Sequence, residues 1–259
     1  KSDQPAQLVS SDGRLLAAWD TPGQLALDAA RNRLAVDRGR QGLAVLDATT
    51  GEITAEVALP AQDGPPPPQI DATTGTLYAF RESTVYTIDP AIADITHTTT
   101  LSVAHSVCGD PAGDAPIARS AYDPAAMRLY LSFITYNCVP WVTTTLVAYD
   151  ARTMTETGRH DVDIRSQFAP YEGRLFGTSV SRLGPTLYWV WDGASQWDES
   201  SADYSGEPEG MVIDRGRGLI YSALGETLHI INPGDAATND AAVPLLAGNS
   251  LSAHSAGPD

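Results

Sequence analysis

The clearest sign of the fold is the stretch Leu43-Ala44-Val45-Leu46-Asp47-Ala48-Thr49-Thr50-Gly51. Four apolar residues lead into an aspartate and small turn-forming residues, which is the pattern of a β-strand that ends in a tight turn. Comparable β-rich runs end at a turn-forming residue at five places, namely Asp47, Asp89, Asp150, Asp192 and Asn232. The sequence therefore repeats one strand-and-turn unit.

A second mark precedes each of these runs. It is a short segment that ends a turn and contains an apolar pair. Its five copies begin at Arg33, Thr76, Arg128, Arg174 and Leu219, which are spaced by 43, 52, 46 and 45 residues. A period of about 40–50 residues indicates propeller blades or solenoid units. Short runs of Val, Ile, Leu, Tyr and Thr lie between the marks, without a long helical pattern. We predict four strands per unit, a to d, which in the first unit are Gln24–Leu27, Arg33–Asp37, Leu43–Leu46 and Glu52–Leu59.

Aspartate also recurs five residues before each apolar pair, at Asp28, Asp71, Asp123 and Asp214, with Ala169 as the exception. An aspartate side chain can accept hydrogen bonds from backbone amides that follow it in a turn. We interpret these repeated aspartates as turn formers and not as ligands or catalytic residues.

These units resemble YVTN-type propeller repeats. The resemblance is carried by Leu43–Gly51 and by Thr76-Leu77-Tyr78 with Val85-Tyr86-Thr87-Ile88-Asp89, and it extends over residues 24–247. It implies an all-β fold in which each repeat forms one blade. We predict a single β-propeller over residues 1–259 with about six four-stranded blades. Five are complete, at approximately 24–60, 67–103, 117–162, 165–203 and 208–247, and one is split between residues 1–22 and 248–259.

Composition limits the function. The formal net charge of −16 repels polyanions, so we exclude nucleic acid as a partner. No stretch approaches the roughly 20 apolar residues of a membrane span, so we expect no span in this chain. The chain begins at Lys1 without a methionine, which we interpret as processing from a longer precursor.

The strand order sorts the connections onto two sides of the propeller. The d–a and b–c connections emerge on one side, which we call the first face, and the a–b and c–d turns emerge on the second face. The first face receives the long insertions 60–68, 104–116, 135–143 and 198–208. Because binding residues concentrate on loops of a rigid scaffold, we predict that a protein or glycan partner binds there. The candidate binding residues are Tyr136, Trp141, Asp198 and Glu199.

The two cysteines, Cys108 and Cys138, belong to neighbouring connections of the first face. We predict that they form a disulfide, and two free thiols are the alternative. An oxidised pair favours an extracellular or periplasmic compartment.

The central channel of a propeller is lined by the a strands. Their register places Arg119, Arg165, Glu209 and His254 near one mouth of the channel, either as a ligand site or as a solvated lining. Glu207–Asp214 also resembles the metal-binding stretch of calcium-dependent propeller hydrolases, which implies Ca²⁺ at Glu209, although two arginines at this level would repel it. We therefore favour a non-catalytic extracellular binding or scaffold module, with a calcium-dependent hydrolase as the alternative.

Overall fold

The computed structural model describes most of the 259-residue chain. The described residues are 6–9, 15–19, 24–105, 113–136, 142–163, 166–180, 186–194, 197–201, 208–214, 216–224, 227–232 and 240–244.

The chain is a β-propeller, and its described residues form five sheets that each contain four antiparallel strands. In each sheet the strands follow one another in sequence order, so every blade is a meander from strand a to strand d. The first blade contains β3 (Gln24–Asp28), β4 (Arg33–Asp37), β5 (Leu43–Asp47) and β6 (Ile53–Val57). These strands match the four predicted for the first unit to within two residues at each boundary. The predicted all-β propeller class is confirmed.

The remaining four blades repeat this order. The second contains β7 (Gln69–Ile70), β8 (Leu77–Arg81), β9 (Thr84–Asp89) and β10 (Asp94–Thr100), and the third contains β13 (Ile117–Asp123), β14 (Arg128–Tyr136), β15 (Val142–Asp150) and β16 (Glu156–Asp163). The fourth contains β17 (Ser166–Tyr171), β18 (Arg174–Val180), β19 (Thr186–Trp191) and β20 (Trp197–Ser201). The fifth contains β21 (Pro208–Asp214), β22 (Leu219–Leu224), β23 (Thr227–Ile231) and β24 (Asp240–Pro244).

Two hairpins accompany these blades. β1 (Ala6–Val9) pairs with β2 (Leu15–Trp19), as the N-terminal half of a split blade requires. The C-terminal partner predicted for it, within residues 248–259, lies outside the described residues, so closure by a split blade stays a prediction. The second hairpin, β11 (Ala104–His105) with β12 (Gly113–Asp114), was not predicted, because two-residue strands carry no alternation that sequence can reveal.

The repeated aspartates form the turns, as predicted. Asp28, Asp71, Asp123 and Asp214 each accept a hydrogen bond from a backbone amide two or three residues later, over 2.9–3.2 Å. The exception in the fourth blade has a physical reason. There the a–b turn is Glu172-Gly173, whose φ angles of 49° and 82° suit a tight hairpin turn that needs no side-chain acceptor.

The hydrophobic core lies between consecutive blades, because strands b and c bury side chains on both faces of each sheet. Four clusters join the first blade to the second, the second to the third, the third to the fourth and the fourth to the fifth. Representative members of these clusters, in that order, are Ala35 with Leu77, Phe80 with Leu131, Tyr130 with Trp189, and Phe176 with Ile220. Each blade is therefore stabilised by its neighbours.

The face of the first blade that points away from the second blade is as apolar as the faces between blades. Leu34, Val36, Ala44 and Leu46 form a buried cluster on it. Cross-strand pairing places Leu27 beside Leu34 and Ile53 beside Leu46 on this face, and these two rim residues are 52% and 50% exposed. The face thus resembles the inter-blade faces in composition, which is consistent with the predicted split blade as its neighbour.

Candidate functional site

The first face is held together by a buried ion pair between two blades. Asp37 ends β4 and Arg81 ends β8, and their side chains are 0% and 3% exposed. The guanidinium donates to both carboxylate oxygens of Asp37 over 2.7 and 2.9 Å. It also donates to the carbonyls of Pro60, Phe80 and Gly39 over 2.6, 2.7 and 3.3 Å. Arg81 therefore fixes the b–c connection of the first blade and the following d–a connection to the second blade.

The next b–c turn extends this network to the third blade. The Glu82 amide donates to the side-chain oxygen of Gln62 over 2.8 Å, and its carbonyl accepts from the Ile117 amide at the start of β13, also over 2.8 Å. Ser83 accepts from the Leu101 amide over 2.9 Å. The connections of three blades thus form one hydrogen-bonded surface, which we call the platform (residues 38–42, 58–68, 82–83, 101–103 and 114–117).

The proline run Pro65–Pro68 belongs to the platform as a packed connector. Pro65, Pro66 and Pro68 are buried and Pro67 is half-buried. Proline fixes the backbone and needs no amide partner, so this segment crosses between two blades without unpaired donors. Its burial leaves little of the run exposed to a proline-recognising domain.

Polar side chains connect the a strands at the channel, close to the platform. Gln69 of β7 reaches the third blade, where its amide nitrogen donates to the carbonyl and the hydroxyl of Ser120 over 3.2 and 3.1 Å. Its side-chain oxygen accepts from the Tyr122 amide over 3.2 Å. The Ser120 hydroxyl donates in turn to the Pro67 carbonyl over 2.8 Å. The platform and the channel lining are therefore one connected network.

Arg119 makes the next link around the channel. Its Nη1 donates to the Gln167 side-chain oxygen of the fourth blade over 2.5 Å. We call Gln69, Arg119, Ser120 and Gln167 the channel cluster. Gln69 and Gln167 occupy the same repeat position, seven residues before the apolar pairs that begin at Thr76 and Arg174.

A β-bulge aims the Arg119 side chain. Ile117 pairs with Phe133 and Arg119 with Ser132, so Ala118 is an extra residue in β13. Without the bulge, Ile117 and Arg119 would point to the same face of the sheet. With it, they lie opposite neighbouring residues of β14 and point to different faces. Ile117 thus joins the core between the second and third blades, and Arg119 turns towards the fourth.

The electrostatic surroundings of Arg119 are unusual for this acidic protein. Burial lowers the pKa of its guanidinium, although the side chain remains open to solvent. Both observations fit a concave channel wall, where protein atoms displace part of the hydration shell. Arginine stays charged under all ordinary conditions, so the channel holds a partly desolvated cation.

The structure places the predicted binding residues differently from the sequence analysis. Tyr136 is the last residue of β14 and pairs with Val142, so its assignment to a loop was wrong and the connection is only 137–141. Residues rich in Thr, Tyr and Val extend β14 to Tyr136 and begin β15 at Val142. Asp198 and Glu199 pair with Val190 and Trp189 in β20, so their assignment to a first-face loop is also wrong. They lie on the outer strand β20. Backbone hydrogen bonding to β19 stabilises this strand although both residues are charged.

The other predicted site residues are only partly located. Glu209 lies in β21 at a bulge between Pro208 and Gly210, equivalent to Ala118 in β13. Arg165, His254, Trp141 and the cysteines 108 and 138 lie outside the described residues. Of the predicted channel residues, the structure thus defines the side-chain contacts of Arg119 alone.

Sequence reasoning missed Gln69, Gln167 and the pair Asp37–Arg81. The glutamines carried a signal, because they share one repeat position on inner strands. The ion pair carried none, since its partners are 44 residues apart and only blade packing joins them.

The described residues include no group of three or more His, Cys, Asp or Glu side chains that could hold a metal ion. Among the same residues, we find no apolar helix with the length of a membrane span. A pocket between the first two blades, lined by residues that include Arg33, Val45 and Leu77, has a volume of about 10 Å³, far below the roughly 300–1,000 Å³ of most ligand sites.

Comparison with known proteins supports the fold. No family model matches the sequence, and no curated protein matches it. Among solved structures, a chain of the crystal structure of the mitotic checkpoint complex matches with a TM-score of 0.59 and 13% identity over 83% of this chain. The WD40 domain of Toxoplasma gondii coronin matches with a TM-score of 0.55 and 12% identity, also over 83%. This chain spans 61% and 55% of the lengths of those two chains. The likeness shows a β-propeller fold.

Proposed function

We propose that this propeller is a non-catalytic scaffold that binds a protein partner through the platform on its first face. The observation that carries the proposal is the hydrogen-bonded connection of three blades, anchored by Asp37 and Arg81. A surface whose backbone is already fixed loses little conformational entropy on binding, so more of the contact energy appears as affinity. WD40-type neighbours support a role in protein interaction, and one of them comes from a structure that is named as a complex.

The platform presents charge to a partner. Arg40 and Asp63 form an ion pair in which both side chains are 73% exposed, and Glu82 is exposed beside them. Exposed charges of both signs favour an oriented encounter with a complementary protein surface. In sequence, the segment 137–141 between β14 and β15 adds the aromatic candidate Trp141, which lies outside the described residues.

Three finer parts of the proposal rest on sequence alone. The repeat motifs support a YVTN-type propeller. The cysteine pair supports an extracellular or periplasmic location. The aromatic residues Tyr136 and Trp141 would suit a glycan as well as a protein, and the charged platform is our reason for preferring a protein.

Charge reversal at the platform tests the proposal. Lys1 is the only lysine, so amine coupling immobilises the chain by its N-terminal end and leaves both faces of the blades unmodified. Proteins retained by the wild-type chain and identified by mass spectrometry should be depleted with Arg40→Glu. Purified partners should then bind Arg40→Glu and Trp141→Ala more weakly in calorimetry, because both substitutions alter the proposed contact surface.

Arg217→Glu is the matched control. Arg217 lies in a second-face turn, is 74% exposed and also pairs with an aspartate, Asp214. The partner should bind this variant as tightly as it binds the wild type. Equal losses with Arg40→Glu and Arg217→Glu, or a hydrogen-exchange footprint on the second face, would contradict the platform as the binding surface.

A further inference from the structure

Arg119 lacks the carboxylate partner that six other arginines of the described residues have. Six arginines form ion pairs with carboxylates, namely Arg31, Arg38, Arg40, Arg81, Arg159 and Arg217. Arg119 instead donates to a neutral amide, that of Gln167, and it forms no ion pair with a described carboxylate. Because an amide does not neutralise the guanidinium, Arg119 attracts an anion locally even though the chain has a net charge of −16.

The geometry leaves donors of Arg119 for a ligand. A guanidinium carries five N–H groups in a planar fork, and the contact with Gln167 uses Nη1. The bulge at Ala118 turns the fork away from the core, and the side chain is open to solvent in the channel. Reduced hydration strengthens the attraction between this charge and an anion, because the local dielectric is below that of water.

The neighbouring residues restrict movement of the site. Ser120, next in β13, is fixed by Gln69 and by the Pro67 carbonyl, and Gln167 holds one end of the guanidinium. A charged group held in this way loses little rotational freedom when a ligand binds. The free side of the fork then suits an anion with two coplanar oxygens.

We propose that Arg119 and Gln167 form an anion subsite at the channel mouth that takes a carboxylate group. A carboxylate matches the planar fork with two parallel hydrogen bonds. It also carries one negative charge, whereas a phosphate monoester carries about 1.5–2 at neutral pH and meets more repulsion from the acidic protein. The subsite does not depend on the proposed function, because it would bind a small carboxylate without any protein partner.

Acetate is the probe for this subsite. Protein labelled with ¹⁵N-arginine has only fifteen arginines, and Arg119→Gln identifies the Nε–H signal of Arg119 by its loss. Acetate should replace chloride at constant ionic strength during the titration. The Arg119 signal should move saturably, while the signal of the surface-paired Arg217 should move little.

Gln167→Glu is the sharpest variant, since it places a carboxylate of the protein itself against the guanidinium. It should weaken acetate binding about tenfold, because the added negative charge neutralises the guanidinium and repels acetate. The wild-type titration remains decisive if this variant fails to fold. An Arg119 response no larger than that of Arg217, or unchanged acetate binding in folded Gln167→Glu, would overturn the subsite. Tighter binding of inorganic phosphate at matched ionic strength would overturn the choice of a carboxylate.

Discussion

Loss of the buried Arg81 side chain should destabilise the propeller strongly. Arg81→Met keeps much of the aliphatic length but removes the bidentate contact with Asp37 and the donors to three backbone carbonyls. The Asp37 carboxylate would stay buried, with the Gly39 amide at 2.9 Å as a remaining donor. Breaking one partner of a buried ion pair typically costs about 3–5 kcal/mol.

This loss is a large part of the roughly 5–15 kcal/mol that stabilises most folded proteins. For a chain of this length, about 1 kcal/mol changes the Tm by roughly 2–4 °C, so the Tm should fall by about 6–20 °C. Urea unfolding followed by tryptophan fluorescence measures the free energy, and circular dichroism measures the Tm. Asp37→Leu combined with Arg81→Met should lose less stability than the two single variants together, because neither charge is then left buried alone.

Arg40→Met is the matched control. Arg40 makes an equally short bidentate contact with Asp63, over 2.6 and 2.7 Å, but both side chains are 73% exposed. Water replaces the lost contact there, so the Tm should hardly change. Similar Tm values for Arg81→Met and Arg40→Met would refute the view that burial makes the Asp37–Arg81 pair important for stability.

Three further predictions concern packing, pH and the cysteines. Gly177→Ala should lower the free energy of unfolding by about 1–3 kcal/mol in urea, because a Cβ there would overlap the buried Trp189 ring. Gly216→Ala is the control and should be tolerated, because its Cβ would make only an ordinary contact with the Asp214 side chain. Hydrogen bonding from the Thr153 amide lowers the pKa of Asp150 below its unfolded-state value of about 3.9. The ionised Asp150 carboxylate therefore stabilises the fold above that pH, and this stabilisation is lost as the pH falls through the folded-state pKa. Asp150→Asn should therefore unfold with a weaker dependence on acid, and an unchanged acid profile would contradict the role of this turn. Intact-mass analysis should find Cys108 and Cys138 resistant to alkylation in denatured, unreduced protein and alkylated after reduction, and modification of both without reductant would rule out the disulfide.

The strands and turns were predictable because their causes are local. Alternating apolar residues define a strand over a few positions, and an aspartate that bonds to amides two or three residues later defines its own turn, as Asp47 and Asp150 do. The spacing of the repeated apolar pairs and turn residues then gives the number of units, and four strands per unit indicate a propeller. Local patterns were less reliable where side-chain charge and strand pairing favour different structures. The charged residues Asp198 and Glu199 resembled a loop in the sequence, but they pair with β19.

The candidate site was predictable only in part. The register of the a strands correctly placed Arg119 on an inner strand, but its neighbour Gln167 is 48 residues away and belongs to another blade. The bulge at Ala118 changes the face to which Arg119 points, and the sequence of β13 contains no residue type that would reveal it. The position of Arg119 thus followed from sequence, whereas its partner and direction did not.

The repeated four-stranded sheets can be predicted from the amino-acid pattern, because side-chain alternation and turn chemistry act within a few residues. Which side chains meet between blades depends on how the folded blades pack. Asp37 and Arg81 are both ordinary strand-ending charges in the sequence, and only the packing of the first blade against the second buries them together. The physical reason is range: backbone conformation responds to near neighbours, whereas burial and charge pairing depend on surfaces that come together only when the blades pack.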